Sequence, residues 1–183
     1  MSMYDEMKNL FELANSKYLI EQKELIQSGV SERTLCGQLM LYLNEEKNKT
    51  KYREYYVDVE YNRNINGRLK TIKDSDGDGE IITINCDLLL HSRGENLVQD
   101  NLIAIEMKKY TGKRSEKEKD RKRLKALTRQ SFDNIWSYDG KKLPEHVCRY
   151  KLGVYYEINV SRMQVMLEYY RNGELLYNYT IKI

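Results

Sequence analysis

The sequence predicts an α/β domain in which a mixed sheet is flanked by helices. Three observations lead there. Apolar residues recur at helical spacing through most of the chain up to Asn48. The period changes to two from Lys51 onward. One basic segment then returns to helical spacing between two sets of strand-like runs. The resulting order is two helices, four strands, a helix and three strands.

Each element has its own signal. Residues 3–27 carry Met3, Met7, Leu10, Phe11, Leu13, Ala14, Tyr18 and Leu25 at helical spacing, and Gly29 ends the run. Ser31 stands where an N-cap is needed for a second helix, whose stripe is Leu35, Leu39 and Leu43 with Cys36, Met40 and Tyr42 beside it. Tyr52–Arg63 reads as a long strand, and Ile65–Lys73 returns beside it through Asn66-Gly67, a hairpin dipeptide. An acidic loop, Asp74–Glu80, precedes the strands Ile81–Ser92 and Asn101–Tyr110, which are rich in Ile and Leu as doubly covered strands are. Ser115–Ser131 is the basic helix. Phe132–Arg149 is loop-like and holds Trp136 and Pro144. Tyr150–Asn159, Arg162–Arg171 and Glu174–Ile183 complete the strands, the last two joined at Asn172-Gly173. No repeat or linker divides the chain, so residues 1–183 form one domain. Within it, residues 1–30 are an N-terminal helical unit, 31–130 a core and 131–183 a C-terminal loop with strands.

Composition narrows the function. The chain has 183 residues, 40% apolar and 32% charged, enough for one domain with a proper core. No uncharged apolar run approaches the ~20 residues that span a bilayer, and the opening Met1–Glu6 lacks the features of a secretory leader. Cys36, Cys86 and Cys148 lie far apart without metal-site spacing, so a reducing, cytoplasmic setting is expected in place of a disulfide framework or a zinc finger. Sixteen tyrosines against two Phe and one Trp read as strand-forming residues, with a contact surface as the alternative.

Charge is unevenly placed. From Lys108 to Arg129, eleven Lys and Arg face three acids, so this stretch carries +8 and the remainder of the chain −5. Such a dipolar layout suits a polyanion on one face, although a solvated helix surface has the same signature.

The chemistry-bearing pair of segments is 85–91, with Asp87, and Leu102–Lys109, with Glu106 and Lys108. Glu106 and Lys108 project from one strand face, about 6.6 Å apart along the chain. A hairpin between the two segments brings Asp87 alongside. Carboxylates and an ammonium set among apolar residues are costly unless paired or bound to a metal. Paired acids with an adjacent Lys suit a hard divalent cation, with the Lys acting on water beside it.

This pattern resembles the PD-(D/E)XK nuclease superfamily: Asp87, then Glu106-Met107-Lys108, and Glu32 from the upstream helix. The run Val57-Asp58-Val59-Glu60-Tyr61-Asn62-Arg63 and the Asp120-to-Leu124 spacing are similar to those of small bacterial and phage nuclease-like proteins. The resemblance covers roughly residues 31 to 130. One departure is Cys86, which stands where the family usually has Pro. The resemblance implies a restriction-endonuclease-like core and Mg²⁺- or Mn²⁺-dependent hydrolysis of DNA phosphodiesters, structure-specific or weakly sequence-specific. Asp87, Glu106 and Glu32 would hold the metal, and Lys108 would complete the catalytic set. Lys113, Arg114, Lys117, Arg121 and Lys125 would contact the nucleic acid. A catalytically inactive nucleic-acid- or protein-binding module on the same fold is the alternative, and a homodimer is left open.

Several residues carry two readings. Glu32 also suits a helix dipole. Glu60 either completes the site or pairs with Arg63. Asp120 falls on the inward stripe of its helix, as a partner for a buried cation more readily than as a ligand. His91 lies about 13 Å from Asp87 along the strand, too far to share a metal but able to meet a substrate phosphate. Residues 74–81 copy the opening of a calcium-binding loop, but Asn85 stands in place of its bidentate Glu, and a flexible acidic loop is the plainer account. Cys86 reads as a core residue.

Overall fold

The computed structural model describes residues 1–61, 71–73, 81–83, 86–130 and 148–183. The elements are α1 (Met3–Glu21), α2 (Lys23–Gln27), α3 (Glu32–Asn48), β1 (Tyr56–Val59), β2 (Thr71–Lys73), β3 (Ile81–Thr83), β4 (Leu88–His91), β5 (Asn101–Lys109), α4 (Arg114–Thr128), β6 (Leu152–Asn159), β7 (Gln164–Arg171) and β8 (Glu174–Lys182). Six strands form one mixed sheet in the order β1-β4-β5-β6-β7-β8, and β2 pairs with β3 separately. All neighbours in the large sheet are antiparallel except β5 and β6, which run parallel because α4 carries the chain across between them. The mixed α/β class is as the sequence predicts. No helix among the described residues is long and apolar enough to cross a membrane.

The N-terminal helices form for local reasons. Ser2 Oγ accepts from the Asp5 amide while the Asp5 carboxylate accepts from the Ser2 amide, a reciprocal cap on α1. Met7, Leu10, Phe11, Ala14 and Tyr18 then face the core, whereas Leu13 stays 59% exposed. The expected single helix 3–27 is broken at Gln22, whose side chain donates to Tyr42 Oη at 2.8 Å. Gly29 takes φ +73°, and the Ser31 hydroxyl caps α3 through the Thr34 amide.

Three strand expectations need correction. The long strand from Tyr52 shrinks to Tyr56–Val59, because the Lys47 ammonium gathers the carbonyls of Arg53 (2.8 Å) and Tyr55 (2.6 Å) and holds the preceding residues in turns. The segment Ile81–Ser92 divides into β3 and β4, which belong to different sheets, giving five strands before α4 instead of four. β2 pairs with β3 and not with β1 among the described residues. The Asn66-Gly67 turn, the acidic loop 74–80, Asn85, Trp136 and Pro144 lie outside the described residues.

The sheet has two covered faces. Leu88, Leu90, Ile103, Ile105 and Met107 pack with α1 and α3 in the main core, while Leu89 and Ala104 pack with Leu124 and Leu127 of α4. Gly153 lets α4 come close: a Cβ there would meet Thr128 Cγ2 at 2.9 Å and Tyr170 Cβ at 3.1 Å. Asn172 (φ +53°) and Gly173 (φ +85°) form the two-residue turn between β7 and β8, as their dipeptide predicts.

Candidate active site

The register of β4 on β5 creates the site. Leu88 opposes Ile105 and Leu89 opposes Ala104, so Asp87 comes level with Glu106 on the face that α4 covers. The Met107 amide donates to Asp87 Oδ2 at 2.8 Å, fixing the carboxylate against β5. Lys108 leaves β5 on the same side as Glu106. The first turn of α3 closes the site from above, where Glu32 Oε1 accepts from the Lys109 amide at 2.8 Å.

Lys108 is the hub. Its ammonium stands 3.2 Å from Asp120 Oδ2, 3.6 Å from Glu32 Oε2 and 3.8 Å from Asp87 Oδ2. Three carboxylates delivered by α3, the start of β4 and α4 therefore surround one cation on β5. Burial alone would push the Lys108 pKa down, but Asp87, Asp120 and Glu32 together outweigh it and raise it. The ammonium is held charged.

Glu106 is fully buried, and its Oε1 accepts from Arg123 Nη1 at 2.6 Å. Arg123 also stands 3.3 Å from Asp120 Oδ1. Burial dominates at Glu106 and, with Asp87 and Asp120 nearby, overrides Arg123 to push its pKa up to about 8. Burial likewise raises Asp87 and Asp120 against the pull of Lys108. Four carboxylates thus share two cations, a formal excess of two negative charges if all ionise.

Whether these groups fit a divalent metal can be judged from their donors. All are hard oxygen ligands, the type Mg²⁺ and Mn²⁺ take, and Glu106 Oε2 is buried with no hydrogen-bond partner among the described residues. Donor chemistry and charge both fit. Spacing is a separate matter: among the described residues no three His, Cys, Asp or Glu side chains stand grouped to hold a metal. Lys108 and Arg123 occupy the positions between the acids.

The sequence-predicted residues fare differently. Glu32, Asp87, Glu106 and Lys108 come together, and Asp120 joins them as the partner of both cations. Glu60 does not: its carboxylate pairs with Arg33 at 3.0 Å. Cys86 is buried, as expected of a core residue, with Sγ 3.2 Å from the Ile105 carbonyl. His91 is fully buried against Asp58 (Nε2 to Oδ2, 3.0 Å), so it offers no surface to a phosphate. Of the proposed nucleic-acid contacts, Lys113 just before α4 and Arg114 and Lys125 on it are exposed, Arg114 with its guanidinium 2.8 Å from Glu118 one turn on. Lys117 instead pairs with Glu157 at 2.9 Å and donates to the Tyr110 carbonyl. Arg121 forms a fork with Glu168 and lies over the Tyr155 ring at 4.1 Å. Those two are structural. The residue missed as a member of the site is Arg123, and its signal was present: it follows the inward-facing Asp120 by three positions, on the same helix side.

Comparison with known proteins gives no match to a family model, a curated protein or a solved structure.

Proposed function

We infer that this chain is a metal-dependent nuclease that hydrolyses DNA phosphodiesters, as its resemblance to PD-(D/E)XK proteins implies. The observation that carries this reading is the convergence of Glu32, Asp87 and Asp120 on Lys108, with Glu106 level with Asp87 on the adjoining strand. Four separate elements deliver these groups, and a site needed only for stability would have been cheaper to build from apolar residues.

In this reading Asp87, Glu106 and Glu32 would hold Mg²⁺ or Mn²⁺ in the space between them that Lys108 and Arg123 now fill. A bound cation of this type supplies Lewis-acid polarisation of a phosphoryl oxygen and lowers the pKa of water. Lys108, kept protonated by its carboxylates, orients the attacking water and stabilises negative charge growing at phosphorus. Asp120 positions that ammonium. Exposed Lys113, Arg114 and Lys125 contact backbone phosphates outside the site. The test is cleavage of supercoiled, linear, single-stranded and branched DNA with Mg²⁺ or Mn²⁺. Wild type cuts at least one form, while Lys108→Ala and Asp87→Asn, equally folded, cut none.

A second reading has its own observation. Glu106 is already engaged by Arg123, as it would be in a non-catalytic nucleic-acid- or protein-binding module on the same scaffold. Wild type that binds DNA but cuts no form with either metal, and binds equally well as Lys108→Ala, supports that module.

A further inference from the structure

The strand β8 lies at the edge of the large sheet, and among the described residues nothing pairs with its outer side. Its run Leu175–Ile181 contains seven residues with no charge and no proline. Edge strands are ordinarily blunted by such residues, because unpaired amides and carbonyls template pairing with another chain. A bulge interrupts the ladder only near the turn, between Tyr169 and Tyr170, and leaves Tyr177–Lys182 in regular register. Leu175 and Leu176 are 42% and 46% exposed.

The direction of the free amides follows from the ladder. The Ile183 amide donates to the Met163 carbonyl, so by alternation Tyr177, Tyr179 and Ile181 bond inward to β7. Asn178, Thr180 and Lys182 therefore point their amides outward. Beside this edge, Tyr179 and Ile181 line a groove with Ser16 and Ile20 of α1, and Ile20 is 74% exposed.

We propose that β8 is a dimerisation edge occupied by β8 of a second copy of this chain, antiparallel, with the two-fold axis at Asn178. The regular part of the strand is complementary to itself about that residue, and its acid, Glu174, just beyond the bulge, comes close to Lys182 of the second copy, and the reverse. Asn178 opposes Asn178 at outward amides, and Thr180, whose amide also points outward, faces Leu176, the extra residue at the bulge. Tyr177 of the second copy falls beside Tyr179 on the face of the groove. That contact extends the stacked row Tyr169, Tyr177 and Tyr179, whose ring centroids are 4.9 to 6.3 Å apart. The interface leaves the Lys108 cluster on β5 untouched, so this inference stands apart from the catalytic reading.

Sedimentation of the full chain over a range of concentrations tests it. Wild type sediments as a dimer. Asn178→Lys sets two ammonium groups against each other at the axis and weakens the dimer roughly tenfold or more, while its circular dichroism and melting profile stay those of a folded chain. Glu174→Lys and Lys182→Glu each weaken association, and the double exchange restores it, because only the pairing of these ends has been swapped. A wild-type monomer at every concentration overturns the proposal. So does a dimer that Asn178→Lys leaves intact, or a double exchange no tighter than the single ones.

Discussion

At Glu106, burial and two neighbouring carboxylates act against one guanidinium, and burial prevails. Its pKa of about 8 lies above the ordinary 4.5, so between those values the folded chain binds a proton that the unfolded chain does not. Stability from this group is therefore present at low pH and lost as pH rises through about 8. Asp87 and Asp120 are shifted in the same direction and add to the trend. The metal-free melting temperature falls from about pH 5 to about pH 9, and Glu106→Gln flattens that fall. Arg123→Ala costs about 2 kcal/mol near neutral pH, the worth of a hydrogen bond to a charged group. The cost grows above pH 8, where Glu106 would ionise without a partner. Denaturant titration at two pH values measures both, and an Arg123→Ala cost that does not grow with pH would contradict this electrostatic picture.

At the scale of elements, α4 is fixed by close approach as much as by charge. Gly153 and Ala104 open the space in which Leu124, Leu127 and Thr128 sit. Gly153→Ala pushes a methyl into Thr128 Cγ2 and destabilises by roughly 1–3 kcal/mol. Thr128→Ser removes that carbon, keeps the hydroxyl that donates to the Leu124 carbonyl, and recovers part of the stability. The helices and the last three strands were legible in the sequence because their signals are local: a Ser cap, a left-handed Gly, an Asn-Gly turn. The extent of β1 was not, since the alternation of Tyr56 to Val59 shows no boundary toward Tyr52, and the turns there are held by the Lys47 ammonium on the Arg53 and Tyr55 carbonyls. The division of Ile81–Ser92 was equally hidden, as it depends on which sheet each half joins.

For the whole molecule, the +8 segment is less a DNA-binding surface than its count suggests. Lys117, Arg121 and Arg123 are drawn inward by Glu157, Glu168 and Glu106. Composition counts charges, but only the fold decides which of them have partners. In the proposed nuclease reading the exposed members are the ones that meet the polyanion: Lys113→Ala with Lys125→Ala is expected to weaken DNA affinity and to lower the slope of log K against log salt by about 0.9 for each phosphate no longer neutralised. Arg121→Ala lowers the melting temperature and leaves that slope unchanged. Asp87 and Glu106 were legible from strand alternation and Asp120 from the inward stripe of its helix, Glu32 entered only through the resemblance, and the engagement of Glu106 by Arg123 needed the docking of α4 on β5. The central claim, that Asp87 and its neighbours form a divalent-cation site worked by Lys108, is met most directly by calorimetric titration of Mn²⁺ into the folded, metal-free chain. Binding is expected with wild type, binding at least as strong with Lys108→Ala, whose ammonium no longer competes for Glu32 and Asp87, and loss of binding with Asp87→Asn. No heat of binding with wild type, or equal binding to wild type and Asp87→Asn, would contradict it.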